Sequence, residues 1–97
     1  MEQSIWKYEL DIKDRVEVMM PVRSRVLSVG NQRETLCLWA IVEPGGAMVK
    51  RTFMIKGTGH PYDFRDTAHP AEFLGTVLMH EGALVWHVFD ITKVVDE

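Results

Sequence analysis

The segment Gly57-Thr58-Gly59-His60 is the most distinctive local motif of the sequence, and it follows an apolar run of strand type. Glycines on either side of a threonine allow backbone N–H groups to approach an anion closely. Basic side chains beside such a loop add charge-assisted hydrogen bonds to phosphate, and aromatic rings can stack on a base. The motif therefore predicts a binding site for a nucleotide-type small molecule. The candidate ligand-binding residues are Arg51, Lys56, Gly57, Thr58, Gly59, His60, Tyr62 and Arg65.

Two other interpretations of this loop stay open. Glycines also suit turn conformations that other residues resist, so the motif can serve the backbone alone. A metal site is the other alternative, since His60, Asp63, Asp66 and His69 follow one another at intervals of three. Zinc needs three or four ligands converging at about 2 Å, and histidine followed by proline is also typical of a rigid polar loop. We predict no metal and no other cofactor.

Nucleophilic catalysis finds little support in the residue pattern. The serines at Ser4, Ser24 and Ser28 lack the glycine-flanked elbow of a nucleophilic serine. The single cysteine, Cys37, lies in the apolar run 36–42, which is typical of a small core residue rather than a reactive thiol. We therefore expect a protein that binds its target rather than an enzyme.

Two further histidines flank the last predicted turn. A two-residue turn at Glu81-Gly82 pairs Thr76 with His87 and separates His80 from His87 by roughly 13 Å at the usual strand rise. The two imidazoles are then too far apart to share a proton or a metal within one subunit. We interpret each as a partly exposed sheet histidine, although their common face could line a pocket between two subunits of a symmetric dimer.

Length and charge narrow the function classes. A chain of 97 residues predicts a single domain over 1–97, and a net charge of −3 argues against general nucleic-acid binding. The sequence shows neither the pattern of a signal peptide nor an apolar segment of the ~20 residues that span a bilayer. One unpaired thiol fits a reducing compartment. We therefore expect a cytoplasmic protein without a membrane partner.

Period-two alternation of apolar and polar residues dominates the chain and predicts about seven short strands. They cover 4–12, 15–19, 25–29, 36–42, 48–55, 73–79 and 84–91. We expect turns at Gly30-Asn31 and at 43–46, the latter joining the two central runs in a hairpin. A helical turn is expected at 71–74 and a loose tail at 92–97. The predicted fold is all-β, a small antiparallel β-sandwich or barrel.

Four segments together resemble a family of small uncharacterised proteins encoded mainly by bacteriophages. They are Ile5-Trp6-Lys7-Tyr8-Glu9-Leu10, Leu38-Trp39-Ala40-Ile41-Val42, Gly57-Thr58-Gly59-His60-Pro61, and Phe73-Leu74-Gly75-Thr76 with Trp86-His87-Val88-Phe89. The resemblance implies a small phage protein with no catalytic residues to carry over. Accessory phage proteins of this kind often counter host immunity, by occluding an immune protein or by sequestering a nucleotide signal.

Three functions follow as hypotheses. The first is a homo-oligomeric binding protein that sequesters a nucleotide-type immune signal, because a pocket between subunits suits so small a domain. The second is a protein-interaction inhibitor of a host defence protein, similar to an anti-CRISPR protein, that uses the acidic residues Glu9, Asp11, Asp14 and Glu17 and the acidic end 90–97. The third is a minor structural or assembly component of the virion.

Overall fold

The computed structural model describes residues 2–62 and 71–95, and this part of the chain contains seven strands and one short helix. The elements are β1 (Ser4–Glu9), β2 (Arg15–Pro21), β3 (Arg25–Gln32), β4 (Thr35–Val42), β5 (Met48–Gly57), β6 (Glu72–Met79), β7 (Leu84–Asp90) and α1 (Thr92–Val95). Every predicted strand is present, several of them longer than the alternation indicated. No helix in the described residues is long and apolar enough to cross a membrane.

The strands form two antiparallel sheets that do not close into a barrel. The three-stranded sheet has the order β1-β4-β3, and the four-stranded sheet has the order β2-β5-β7-β6. The sheets meet along one side, where the Asn31 side-chain amide donates to the Leu78 carbonyl at 3.1 Å. The all-β prediction is confirmed, with the sandwich rather than the barrel as its form.

The core lies between the sheets and follows from the period-two alternation. Leu38 and Ala40 of β4 face this layer with Phe53 of β5, and none of the three has exposed surface. Burial of a side chain the size of leucine or phenylalanine contributes roughly 1.5–3 kcal/mol. These central positions therefore account for much of the driving force for folding.

The other face of β4 is also covered, as its continuous apolar run predicts. Cys37 is fully buried there, which confirms it as a small packing residue. Its strand partner is Gly30, and a Cβ at that glycine would lie 3.2 Å from the ring of Trp39. The Trp39 indole therefore lies over the bare backbone of β3 beside Cys37.

The predicted hairpin between the two central runs is wrong. Both edges of β4 are occupied by β1 and β3, so β5 cannot pair with it. The chain instead passes from the three-stranded to the four-stranded sheet through 43–46, where the Gly46 N–H donates to the Glu43 carbonyl at 2.9 Å. As a result β5 lies between β2 and β7.

The turn predicted at Gly30-Asn31 is also displaced. Both residues lie inside β3, and the chain reverses at Arg33 and Glu34, which have positive φ values of 53° and 61°. A two-residue turn with both residues left-handed matches the twist of the strands it joins. The Asn31 side-chain oxygen accepts the Glu34 N–H at 2.8 Å and holds this turn, which lacks the usual Asn-Gly signal.

The region expected to form a helical turn at 71–74 enters β6 instead. A register shift between Phe73 and Gly75 interrupts the alternation there and hides the strand pattern.

At the C-terminal end, the predicted loose tail begins with the short helix α1. The Thr92 N–H donates to Asp90 at 2.9 Å, and the Thr92 hydroxyl accepts the Thr52 N–H at 3.0 Å. Residues 96–97 lie outside the described residues.

Glu34 links the β3–β4 turn to the β6–β7 turn. Its carboxylate accepts the His80 N–H at 3.2 Å and the Asn31 amide at 3.0 Å. The backbone hydrogen bond from His80, followed by that from Asn31, lowers the pKa of Glu34 below its ordinary value. The ionised carboxylate is therefore the form that stabilises the junction of the two sheets.

We expect Glu34→Gln to lower stability at neutral pH and to matter progressively less in acid. Because the pKa of Glu34 is lower in the folded state, its contribution is present above the unfolded pKa and disappears as pH falls through the folded one. Thermal unfolding of both proteins between pH 7 and about pH 2 measures this. Glu81→Gln in the neighbouring turn is the control, and a stability gap that stays constant with pH would contradict the assignment.

Candidate functional site

The four-stranded sheet carries a polar row across three of its strands. Lys56 of β5 lies directly opposite His87 of β7, which lies directly opposite Thr76 of β6. Side chains of directly opposite residues share a face of the sheet. This is the outer face, because the neighbouring positions Ile55, Val88 and Val77 point into the core.

His87 is held between two threonine hydroxyls. Its Nε2 lies 2.7 Å from Thr58 Oγ1, and its Nδ1 lies 2.9 Å from Thr76 Oγ1. A neutral imidazole has one N–H donor and one acceptor, so one threonine accepts from the ring and the other donates to it. The threonine that accepts still carries its own hydroxyl hydrogen and can donate one further hydrogen bond.

Lys56 adds a cation at the end of this row. Its ammonium lies 3.1 Å from the Asp14 carboxylate, and its side chain is mostly covered while that of Asp14 is exposed. An ammonium has three N–H donors, and one bond to Asp14 leaves others to direct elsewhere. The row therefore combines a positive charge with hydroxyl donors.

Aromatic rings continue the same face. Phe89 follows His87 by two residues, about 7 Å along the strand. Its ring centroid lies 5.3 Å from that of Tyr62 and 5.3 Å from that of Phe73. The outer two rings are half exposed, Tyr62 by 49% and Phe73 by 56%. We call the whole surface the His87 face; it comprises Lys56, Thr58, Tyr62, Phe73, Thr76, His87 and Phe89.

Of the sequence-predicted ligand residues, Lys56, Thr58 and Tyr62 lie on the His87 face. Arg51 does not, because it alternates in phase with Phe53 and points between the sheets. Its guanidinium donates to the Ser24 carbonyl at 2.9 Å and to Asp90 at 2.6 Å, and only 17% of its side chain is exposed. These bonds tie the start of β3 to β5 and β7.

The glycine loop satisfies most of its own hydrogen bonds. The Gly57 N–H donates to His60 Nδ1 at 3.2 Å, and the His60 N–H donates to the Gly57 carbonyl at 3.0 Å. The Thr58 N–H donates to Val85 at 3.2 Å. Three of the backbone donors that we predicted for an anion are thus directed at the protein itself.

Each glycine of the loop has a distinct local role. Gly59 has a φ of 90°, which other residues resist. A Cβ at Gly57 would lie 2.9 Å from the His60 ring and 3.2 Å from the Trp86 ring. Glycine is therefore required at position 57 because there is no room for a side chain. His60 packs edge-on against Trp86, with ring centroids 6.3 Å apart, and thus against a residue of the inner face.

Several predicted residues lie outside the described part of the chain. Arg65 is one of them, and its role in ligand binding stays a prediction. Asp63, Asp66 and His69 are others, so the spacing that raised the metal alternative is not described. Within residues 2–62 and 71–95, no three histidine, cysteine or acidic side chains come together in a way that could hold a metal ion.

Four residues of the His87 face, Phe73, Thr76, His87 and Phe89, were not among the predicted ligand-binding residues, although the sequence did place His87 on a face that could line a pocket between subunits. The pairing of Thr76 with His87 was predicted from the Glu81-Gly82 turn, and the structure confirms it. The contribution of Thr58 could not be seen in the same way, because it depends on β5 being the other neighbour of β7.

We expect Arg51→Met to destabilise the fold by about 3 kcal/mol, because it leaves Asp90 largely buried without its cation. Lys50→Met is the matched control on the same strand. Its pair with Glu17 at 3.2 Å is exposed, and such pairs are worth less than about 1 kcal/mol. Chemical denaturation of both variants decides the point. Equal losses of stability, or a loss of ligand binding with stability intact, would contradict a structural role for Arg51.

A comparison with protein-family models matches residues 1–96 to a domain of unknown function, DUF7352. The matched range includes every strand of both sheets. Searches of curated proteins and of solved structures gave no match.

Proposed function

We propose that this chain, which belongs to the DUF7352 family over residues 1–96, is a non-enzymatic protein that captures a nucleotide-type ligand on the His87 face. One observation supports this most directly. A row of cationic, hydroxyl and imidazole groups lies next to half-exposed aromatic rings on the same face of one sheet. A nucleotide can use both at once, because its phosphate binds cationic and hydroxyl donors and its base stacks on aromatic rings.

The phosphate belongs on the row formed by Lys56, Thr58 and His87. The ammonium supplies charge-assisted donors, and whichever threonine accepts from His87 supplies a hydroxyl donor. Backbone donors of the glycine loop take no part, since most of them are engaged within the protein. The positive charge is moderated by Asp14, which suits reversible binding.

The base belongs on the aromatic rings around Phe89, two residues beyond His87 on β7. Tyr62 and Phe73 flank Phe89 at 5.3 Å and present half of their surface to solvent. Stacking of a base on an aromatic side chain is worth about 1–3 kcal/mol. The two rows lie about 7 Å apart along the strand, so one small ligand that carries both a phosphate and a base can contact both.

Details of the same geometry favour binding over catalysis. The hydrogen-bonded series Thr58–His87–Thr76 has the arrangement of a catalytic triad, with a hydroxyl in the place of the nucleophile, an imidazole in that of the base and a second hydroxyl in that of the orienting group. The orienting group is a neutral hydroxyl, however, and cannot stabilise an imidazolium as a carboxylate does. The N–H groups of Gly57 and Thr58 are also engaged, so neither is aimed at a developing oxyanion.

The three-stranded sheet has a polar cleft of about 400 Å³ that is a weaker candidate. Its lining residues are Lys7, Glu9, Gln32, Arg33 and Thr35. Lys7 already donates to the Gln32 side chain at 2.7 Å, and the lining includes no ring for a base. The cleft provides the control for the binding test.

We expect calorimetric titration to give tighter binding of adenosine 5′-monophosphate than of adenosine or inorganic phosphate, because only the whole nucleotide uses both surfaces. Tyr62→Ala and the double variant Thr58→Val/Thr76→Val, which removes the hydroxyl donor in either tautomer of His87, should each weaken that binding by about tenfold or more. Thr35→Val, which makes the same chemical change in the cleft of the other sheet, should leave it unchanged. Loss of binding in Thr35→Val alone, or no binding by the wild type, would contradict the proposal.

The biological role that we propose is antagonism of host antiviral defence by sequestering a nucleotide-type immune signal. Support comes from the resemblance to bacteriophage-encoded proteins, together with the His87 face. The protein-interaction inhibitor is the second candidate. The specific observation behind it is that Asp14 and Glu17, at the open edge formed by β2, have 79% and 62% of their side chains exposed.

Native mass spectrometry of protein taken from cells with an active nucleotide-signalling defence separates these roles. We expect the wild type to carry a retained small mass that Tyr62→Ala largely loses. Ligand-free wild type that co-purifies with a host defence complex would favour the inhibitor. Recovery of the protein in purified virions would favour a structural component.

A further inference from the structure

β1 forms an open edge of the three-stranded sheet. It pairs with β4 alone within the described residues. Leu10, which continues the strand, donates its N–H to the Leu36 carbonyl at 2.8 Å. Because hydrogen-bonded positions alternate along an antiparallel pair, the even-numbered residues of β1 direct their backbone groups toward β4. The N–H and C=O groups of Ile5, Lys7 and Glu9 therefore point away from the sheet.

This edge lacks most of the features that normally prevent strands from associating. It contains no proline, and its register with β4 is unbroken over six residues. Ile5 is 61% exposed and Trp6 is 37% exposed, so apolar surface accompanies the unpaired backbone groups. Natural edge strands are usually protected by prolines, bulges or charges. Here the charges are Lys7 and Glu9, of opposite sign and two residues apart.

We infer that β1 pairs antiparallel with β1 of a second copy of this chain, about a two-fold axis at Tyr8. In that register Lys7 lies opposite Glu9 of the second copy, and by symmetry the charge pair occurs twice. Lys7 and Glu9 are also residues whose backbone N–H and C=O groups point outward. Each charge pair across the two strands is therefore also joined by backbone hydrogen bonds.

The neighbouring registers are less favourable. An axis at Lys7 sets two like charges directly opposite each other, which destabilises a strand pair. An axis at Trp6 sets Lys7 opposite Ile5 and Glu9 opposite Gln3, so neither charge meets one of opposite sign. Only the axis at Tyr8 matches both charges, and it also brings Trp6 opposite Leu10 of the second copy.

The resulting dimer has one continuous six-stranded sheet with the order β3-β4-β1-β1-β4-β3. The interface is small, so we expect a weak, concentration-dependent dimer. The His87 face lies on the other sheet and takes no part in the contact. Formation of the dimer is therefore independent of the proposed ligand binding.

Sedimentation velocity over a concentration series tests the pairing. The wild type should associate, and Lys7→Glu or Glu9→Lys should each weaken the association about tenfold or more, because each sets like charges opposite twice. The double variant Lys7→Glu/Glu9→Lys restores the opposite pairs and should restore association. Lys50→Glu, at an exposed charge pair of the other sheet, is the control. A monomeric wild type, or a double variant that stays monomeric, would overturn the inference.

Cross-linking then tests the register. Facing residues that do not exchange hydrogen bonds have Cα atoms about 4.5 Å apart, within the range of a disulfide. Tyr8→Cys should therefore give an oxidised dimer, whereas Trp6→Cys should not, since the two position-6 residues lie about 13 Å apart. The native thiol, Cys37, is buried and does not interfere. Cross-linking at position 6 instead of position 8 would overturn the assigned axis.

Discussion

The simultaneous pairing of β4 with β1 and β3 is the constraint on which the rest of the molecule depends. An antiparallel strand has two edges, and once both are occupied the next strand must join another sheet. β5 therefore crosses over, and its core residues Phe53 and Ile55 pack against those of β4 from the opposite side. The same crossover makes β5 the neighbour of β7, which is how Lys56 and Thr58 come to lie beside His87.

The sequence alone predicted the strands well, because alternation is a local property. The pairing of Thr76 with His87 was equally accessible, since it requires only the turn at Glu81-Gly82. The error about the central hairpin had a different origin. A strong turn between two apolar runs indicates that the chain reverses, but not whether the runs stay in one sheet. That choice depends on distant strands, so the position of Thr58 could not be derived.

Arg51 shows that some of the missing information was present in the pattern. The alternation that placed Phe53 and Ile55 in the core also places Arg51 on the same face, two residues before Phe53. Its charge suggested a ligand, whereas Asp90 and the Ser24 carbonyl provide an internal partner. For the glycine loop, the sequence left open whether the glycines serve an anion or the backbone alone. A glycine-rich turn can present backbone donors to an anion only when those donors are not already bonded.

The contact between Trp39 and Gly30 has an evolutionary consequence. The indole occupies the space where a side chain at position 30 would lie, since a Cβ there would be 3.2 Å from the nearest carbon of the Trp39 ring. A larger residue at position 30 would displace the ring and open the cover beside Cys37, unless position 39 became smaller at the same time. Among members of the DUF7352 family, these two positions should consequently change together, as a covarying pair, rather than independently.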